Sequence, residues 1–153
     1  MELIILTGNI GCGKSTKALE LAKQGYVIVN DDAISTMIGG GDYNLYDKSK
    51  KYLYKSIELY CVDLGLGTNR SVVADMPNMK SISRSRFIDI GKRYNIEIIS
   101  YDWGRGTSED LRLRMLDSRG YNDWKKAFYR KFNEYEKPSF DEGFDKIIEM
   151  RDK

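Results

Sequence analysis

The 153-residue chain contains no histidine, and this absence excludes more chemistry than any other feature of its composition. Without imidazole there is no His-paired serine or cysteine nucleophile, no histidine metal ligand and no side chain that ordinarily titrates near neutral pH. A general base must then be a carboxylate, lysine, tyrosine or cysteine. The two cysteines, Cys12 and Cys61, make neither a disulfide framework nor a metal-ligand pattern, so a reducing, cytoplasmic setting is expected. Long hydrophobic runs are missing too. The first apolar run, residues 3–6 (LIIL), is too short for a leader's core and leads into glycines. No stretch approaches the roughly 18 apolar residues of a membrane span, so a soluble protein with no membrane partner is expected. Charge of one sign is also absent. Lys and Arg number 25 against 23 Asp and Glu, for a net +2, which excludes a uniformly basic coat but not a local patch. With 41% hydrophobic and 31% charged residues, the composition is that of a globular protein. The length suits one domain, residues 1–153.

Short apolar runs alternate with helical patterns. Residues 3–7, 26–30, 71–75, 96–101 and 144–150 read as strands. Residues 15–24 read as a helix closed by Gly25. A long helix is expected from about 47 to 64, with Leu53, Ile57, Tyr60, Cys61 and Leu64 on its buried face. Ser81 suits the cap of a helix carrying Ile82, Phe87, Ile90 and Tyr94. Residues 107–119 read as a short charged helix, and 124–135 as a longer one ended by Pro138. Strands separated by helices imply right-handed crossovers and a parallel α/β sheet of about five strands, covered on both faces.

The strongest motif is Gly8-Asn9-Ile10-Gly11-Cys12-Gly13-Lys14-Ser15, which fits G-x-x-x-x-G-K-[ST] between a strand and a helix. Gly8 and Gly13 permit backbone angles that turn N–H groups toward phosphate oxygens, and the helix start adds positive charge. Lys14 can reach β- and γ-phosphates, the Ser15 hydroxyl can ligate Mg²⁺, and Thr16 can add a phosphate contact. Cys12 reads as a small filler residue. This is a P-loop nucleoside-triphosphate site. No N-K-x-D guanine-reading motif occurs, and large motors or AAA machines carry modules beyond this length, so a small kinase is expected.

Such a kinase needs a group that activates the acceptor and cations that close over the phosphates. Asp31 and Asp32 follow the second strand; one can act as base while the other caps the next helix. Asp75 ends the third strand and can hold Mg²⁺ through water, bond substrate, or serve only as a turn residue. Arg112, Arg114 and Arg119 lie on the segment after the fourth strand, either as an arginine lid over residues 104–122 or as a solvated helix face.

In this order the motifs resemble the 5′-hydroxyl polynucleotide kinase family, in particular its phage-type P-loop kinase domain. The matching stretches are ILTGNIGCGKST (5–16), VNDD (29–32), VVADMPN (72–78) and LRMLDSRG (113–120), with EKPSFDEGFD (136–145) near the end. The resemblance implies an adenylate-kinase-like fold, ATP with Mg²⁺, and a nucleic-acid 5′ end or a nucleotide as acceptor. It implies Asp31 as general base, Lys14 and Ser15 on phosphate and metal, Asp75 orienting the site, and Arg119 on the donor phosphates. Asp32, Asn78 and Arg114 are the accompanying substrate-side candidates. Two positions depart from the family: Ile34 stands where an acceptor-contacting arginine is typical, and Met115 where the lid has a second arginine, with Arg114 one step earlier.

The basic excess is local. Residues 76–131 hold 13 basic and 7 acidic side chains, including Arg84, Arg86, Lys92, Arg93 and Arg105. A polyanionic acceptor would be drawn there. Tyr121, Trp124, Phe128 and Tyr129 interleave with Lys125, Lys126, Arg130 and Lys131, which fits either base stacking or a helix packing its aromatics on the sheet. The expectation is an ATP-dependent 5′-hydroxyl polynucleotide kinase; the alternatives are a kinase for a nucleoside, nucleotide or sugar, and a nucleotide-binding module without catalysis.

Overall fold

A computed structural model describes residues 1–115 and 121–151. Five strands, β1 (Glu2–Thr7), β2 (Val27–Asn30), β3 (Val72–Asp75), β4 (Glu97–Asp102) and β5 (Lys146–Glu149), form one sheet in the order β2-β3-β1-β4-β5. Every pairing is parallel. The helices are α1 (Lys14–Lys23), α2 (Asp31–Ile38), α3 (Lys51–Gly67), α4 (Ser81–Arg93), α5 (Ser108–Met115) and α6 (Tyr121–Glu134). No described helix is long and apolar enough to cross a membrane.

The LIIL run is explained by the two faces of β1. Leu3 and Ile5 enter a core with Val29, Val72, Ile98 and residues of α3 and α4, such as Val62, Leu66, Phe87 and Ile88. Ile4 and Leu6 enter the opposite core with Val73, Ile99, Trp103 and Ala18 and Leu21 of α1. Side chains alternate across a strand, so a strand buried on both faces must be apolar throughout.

The long helix is rotated from the expected face: Ile57 and Cys61 pack against the core, partly buried, but the other expected positions do not. Its buried residues are Tyr54, Glu58, Val62, Gly65 and Leu66, whereas Leu53, Tyr60 and Leu64 are exposed. Gly65 sets this rotation, because a Cβ there would lie 2.7 Å from Val72 Cγ2 and the helix rests on the sheet at that point. The helix also starts later than expected. Asp47 accepts the Ser49 N–H and caps a separate 3₁₀ turn, Lys48–Lys50. Ser81 is the first residue of α4 rather than its cap; the N–H of Ser81 instead donates to Glu136 across 2.9 Å. α6 begins at Tyr121 and ends at Glu134, ahead of Pro138, and β5 is confined to Lys146–Glu149.

The EKPSFDEGFD segment is a belt that runs from the start of α4, at the sheet's carboxyl edge, to the start of β4, at its amino edge. Glu136 caps α4 through the Ser81 N–H, and Asp145 accepts the Ile98 N–H at 2.7 Å. Glu142 takes a two-pronged hydrogen bond from Arg84 at 2.7 and 3.0 Å, while also accepting the Ser139 N–H. Arg84 is fully buried and donates through Nη1 to the Asn78 carbonyl at 2.9 Å, so each of its three nitrogens has a partner. It therefore offers no charge to an acceptor, contrary to its inclusion in the basic patch. Removing one partner of a buried pair leaves the other charge uncompensated. Arg84→Ala is expected to cost about 3–5 kcal/mol of stability, which urea denaturation followed by circular dichroism would measure.

Candidate active site

Strands β1, β2 and β3 end side by side, so the segments that follow them converge on one cleft of about 380 Å³. The P-loop after β1 forms its floor. Gly13 sits at φ 105° at the start of α1, a left-handed angle that glycine adopts without penalty, and no side chain caps the helix there. The N–H groups of the first turn have no intrahelical partner and face an incoming anion; Lys14, Ser15 and Thr16 of that turn line the cleft with Ile10, Gly11 and Cys12. Gly8 has a different role from the backbone freedom expected of it. Its φ is not positive; instead, a Cβ there would lie 2.7 Å from Cys12 Sγ and 2.9 Å from Trp103 Cβ. Gly8 is required for close packing.

Asn9 braces the loop. Its fully buried amide donates to the carbonyls of Arg105 and Phe128 at 2.8 and 3.0 Å, while its Oδ1 accepts the Ile10 N–H. The loop is thereby tied to the chain entering α5 and to α6. Lys14 Nζ donates to the carbonyls of Gly8 and Asn9 at 2.7 and 3.0 Å, holding the ammonium beside the loop.

Asn30, which the sequence reading passed over, organises the acids. Its Oδ1 accepts the Ala33 N–H and caps α2, so neither aspartate is consumed as the cap. Its Nδ2 donates to Asp75 Oδ2 at 2.9 Å, linking the ends of β2 and β3. Asp31 Oδ1 accepts the Asp32 N–H at 2.9 Å. Burial, then the negative charges of Asp32 and Glu58, push the Asp31 carboxyl up to about 7, against a lowering by that hydrogen bond. Burial also raises Asp75, opposed by the Asn30 hydrogen bond and the Lys14 charge. Asp31, Asp32 and Asp75 all line the cleft.

α5 and α6 supply the opposite wall. Thr107 and Asp110 exchange hydrogen bonds across the first turn of α5, and Arg151 pairs with the same Asp110 carboxylate. Arg114 reaches the cleft, its guanidinium 4.5 Å from the centroid of the Trp124 ring. Arg112 instead pairs with Glu109 on the exposed surface. Arg119 and the rest of 116–120 lie outside the described residues. Asn78 is not on the cleft wall: it is buried and donates to the Leu6 carbonyl at 2.9 Å. On α6, Trp124 and Phe128 are buried, which favours packing over base stacking for these two rings, while Arg130 and Lys131 line the cleft. Burial and the adjacent Arg130 push the Lys131 ammonium down, partly offset by Asp31.

The donor set fits a magnesium-bound triphosphate. Magnesium keeps several waters and needs only one or two protein groups when phosphates complete its shell. The exposed Ser15 hydroxyl and the Asp75 carboxylate in the same cleft meet that need. No cluster of three or more acidic or cysteine side chains among the described residues would hold a metal by itself.

A model of the AAA domain family matches residues 3–126. The chain belongs to this family. The match runs from β1 into α6, and β5, beyond it, completes the same sheet. No curated protein matches the sequence. Among solved structures, Kti12 from Chaetomium thermophilum, in complex with ADP-AlF3, superposes with a TM-score of 0.67 at 18% identity over 97% of this chain and 88% of its own. A gluconokinase from Sinorhizobium meliloti gives 0.59 at 17%, over 97% and 81%. A fungal RNA kinase gives 0.63 at 18%, over 98% of this chain but 38% of that one. The fold is therefore the adenylate-kinase-like P-loop kinase fold.

The raised Asp31 pKa carries a stability consequence. The folded chain binds this proton more tightly than the ordinary value of 3.8 allows. The stabilisation is complete below about pH 4 and is lost as the pH rises through about 7. Asp31→Asn is expected to be more stable than the parent at pH 8, by roughly 1 kcal/mol, with the gap closing toward pH 4; thermal melts across that range would show it.

Proposed function

We propose that the protein is an ATP-dependent phosphotransferase that phosphorylates the 5′-hydroxyl of a nucleic acid. The observation that carries the phosphotransfer reading is Asp31, a carboxylate raised to about 7 and left uncommitted by the Asn30 cap, in the same cleft as the P-loop lysine. A base poised near the working pH combines the correct protonation state with sufficient basicity. The acceptor class rests on the resemblance of VNDD, VVADMPN and LRMLDSRG to polynucleotide kinases, and the likeness to an RNA kinase agrees with it.

In this reading the acceptor hydroxyl hydrogen-bonds to Asp31, which takes its proton as the oxygen approaches the γ-phosphorus. The bond from the γ-phosphorus to the bridging oxygen breaks, leaving ADP. Lys14, the α1 N-terminus and Arg114 balance the charge that spreads over the transferring group, and Arg119 joins them as the lid arginine. Magnesium held at Ser15 would neutralise the β- and γ-oxygens. Asn30 and Asn78 are positioning residues: the first sets Asp75 and the start of α2, the second fixes the exit of β3 against β1.

A small-molecule acceptor is the second reading, and Ile34 favours it. Ile34 is buried in the core, so α2 offers no cation to a nucleic-acid backbone. The likeness to a gluconokinase is consistent with that alternative.

Labelled ATP with magnesium and a 5′-hydroxyl oligonucleotide is expected to yield a 5′-phosphorylated product. No transfer to oligonucleotides, together with transfer to a nucleoside or sugar, would select the second reading. Binding of ATP with no transfer to any acceptor would indicate a non-catalytic module. Asp31→Asn is expected to lower kcat by about 10²–10⁴-fold with ATP affinity kept. In the parent, kcat/KM for the acceptor is expected to rise with pH and level off above about 7, as Asp31 ionises.

A further inference from the structure

Several cations in the basic half of the chain are already committed to the protein's own acids. Arg84 pairs with Glu142, Arg93 with Asp63, Arg112 with Glu109, and Lys80 reaches Glu134. Arg130 and Lys131 differ. Among the described residues neither has an ion pair, and both line the cleft.

Their place along α6 tells which substrate they face. Trp124, Ala127, Arg130 and Lys131 recur at helical spacing, so one face of α6 forms the wall. At its N-terminal end Trp124 carries Arg114, whose Cβ lies beside Gly11 of the P-loop, the donor side. Two turns on, Arg130 and Lys131 line the cleft with Asp31 and Asp32 of α2 and Tyr43 of the segment after it, and Lys131 feels Asp31 more strongly than it feels Lys14 of the P-loop. In the sheet β2 lies two strands from β1, a separation of about 10 Å. The Arg130 end of the wall is therefore at the hydroxyl-activating side. α2 contains no basic residue to serve an anion there.

We propose that Arg130 and Lys131 form an anion subsite that grips a phosphate carried by the acceptor, adjacent to the hydroxyl that Asp31 activates, and so select phosphorylated acceptors. Two neighbouring cations on a concave wall suit a dianionic oxygen cluster better than any neutral group. The inference deepens the phosphotransfer reading and rests on Asp31 marking the acceptor side.

The test uses the full chain and a matched pair of probes, a nucleoside 3′-monophosphate and the same nucleoside without phosphate. Calorimetry measures binding of each; ATP transfer measures turnover. The parent is expected to bind and use the phosphorylated probe better. The R130A/K131A variant is expected to lose about ten- to a hundredfold of that preference, chiefly as a rise in acceptor KM, with ATP affinity unaltered. The R130K/K131R variant should keep most of the preference, which separates loss of charge from loss of folding. A parent that binds both probes equally, or a variant whose defect falls on ATP affinity instead, would overturn the subsite while leaving phosphotransfer standing. A binding preference retained in a protein that transfers phosphate to nothing would overturn the phosphotransfer reading and leave the subsite.

Discussion

The buried Arg84 guanidinium is the interaction on which the working edge of the sheet depends. It joins Glu142 of the C-terminal belt to the Asn78 carbonyl. Asn78 in turn donates to Leu6, the next-to-last residue of β1, and the adjoining Pro77 carbonyl accepts the Gly8 N–H. One polar path thus runs from a surface turn near the C-terminus to the first residue of the P-loop. A charge this deep persists only when every donor is satisfied, and the arrangement fixes the relative position of β1, β3 and the belt. Asp75, three residues before Asn78, inherits its position from the same path.

Against this fixed frame the cleft concentrates its unfavourable electrostatics. Asp31, Asp32 and Asp75 converge where β2 and β3 end, Glu58 adds negative charge behind Asp31, and the counter-charges stand on the opposite wall. The frame holds the acids close despite their repulsion, and burial together with that repulsion raises the Asp31 carboxyl to about 7. A chain without histidine reaches the same pH range by this route. The same crowding lowers the stability of the ionised folded state, so a raised carboxyl pKa and the fold's stability above it pull in opposite directions at this residue.

Legibility in the sequence followed the range of the forces involved. The strands and the P-loop were readable because their causes are local: LIIL is apolar on both faces of β1, and the glycine-lysine-serine spacing is set by one turn. The inward face of α3 was readable only at Ile57 and Cys61, which pack against the core. Its apolar stripe through Leu53, Tyr60 and Leu64 has the right period, but Gly65 brings the helix onto Val72 and turns Tyr54, Glu58 and Val62 inward. Long-range partners were equally hidden. Ser81 had the chemistry of a cap, yet Glu136, 55 residues away, caps that helix. Arg84 counted as surface charge until Glu142 stood beside it. Asn30 carried a usable signal, since a residue with good capping chemistry immediately precedes the acid pair and leaves both acids available.

The two halves of the cleft are built by different means. The donor half, residues 8–16, works through backbone groups and two kinds of glycine constraint, the left-handed angle at Gly13 and the packing limit at Gly8. Its N–H groups are the same whatever side chains surround them, provided that Asn9 and the path from Arg84 hold the loop in place. The acceptor half is made of side chains from α2 and α6, elements far apart in sequence that meet only in the fold. Exchanging a side chain there alters recognition without disturbing the phosphate floor. Structures as different in name as a gluconokinase and an RNA kinase share this fold at 17% and 18% identity to the chain. In the proposed transfer the determinants of the acceptor lie on the walls contributed by α2 and α6, where Ile34 is buried in the core and Arg130 and Lys131 line the cleft that Asp31 also lines.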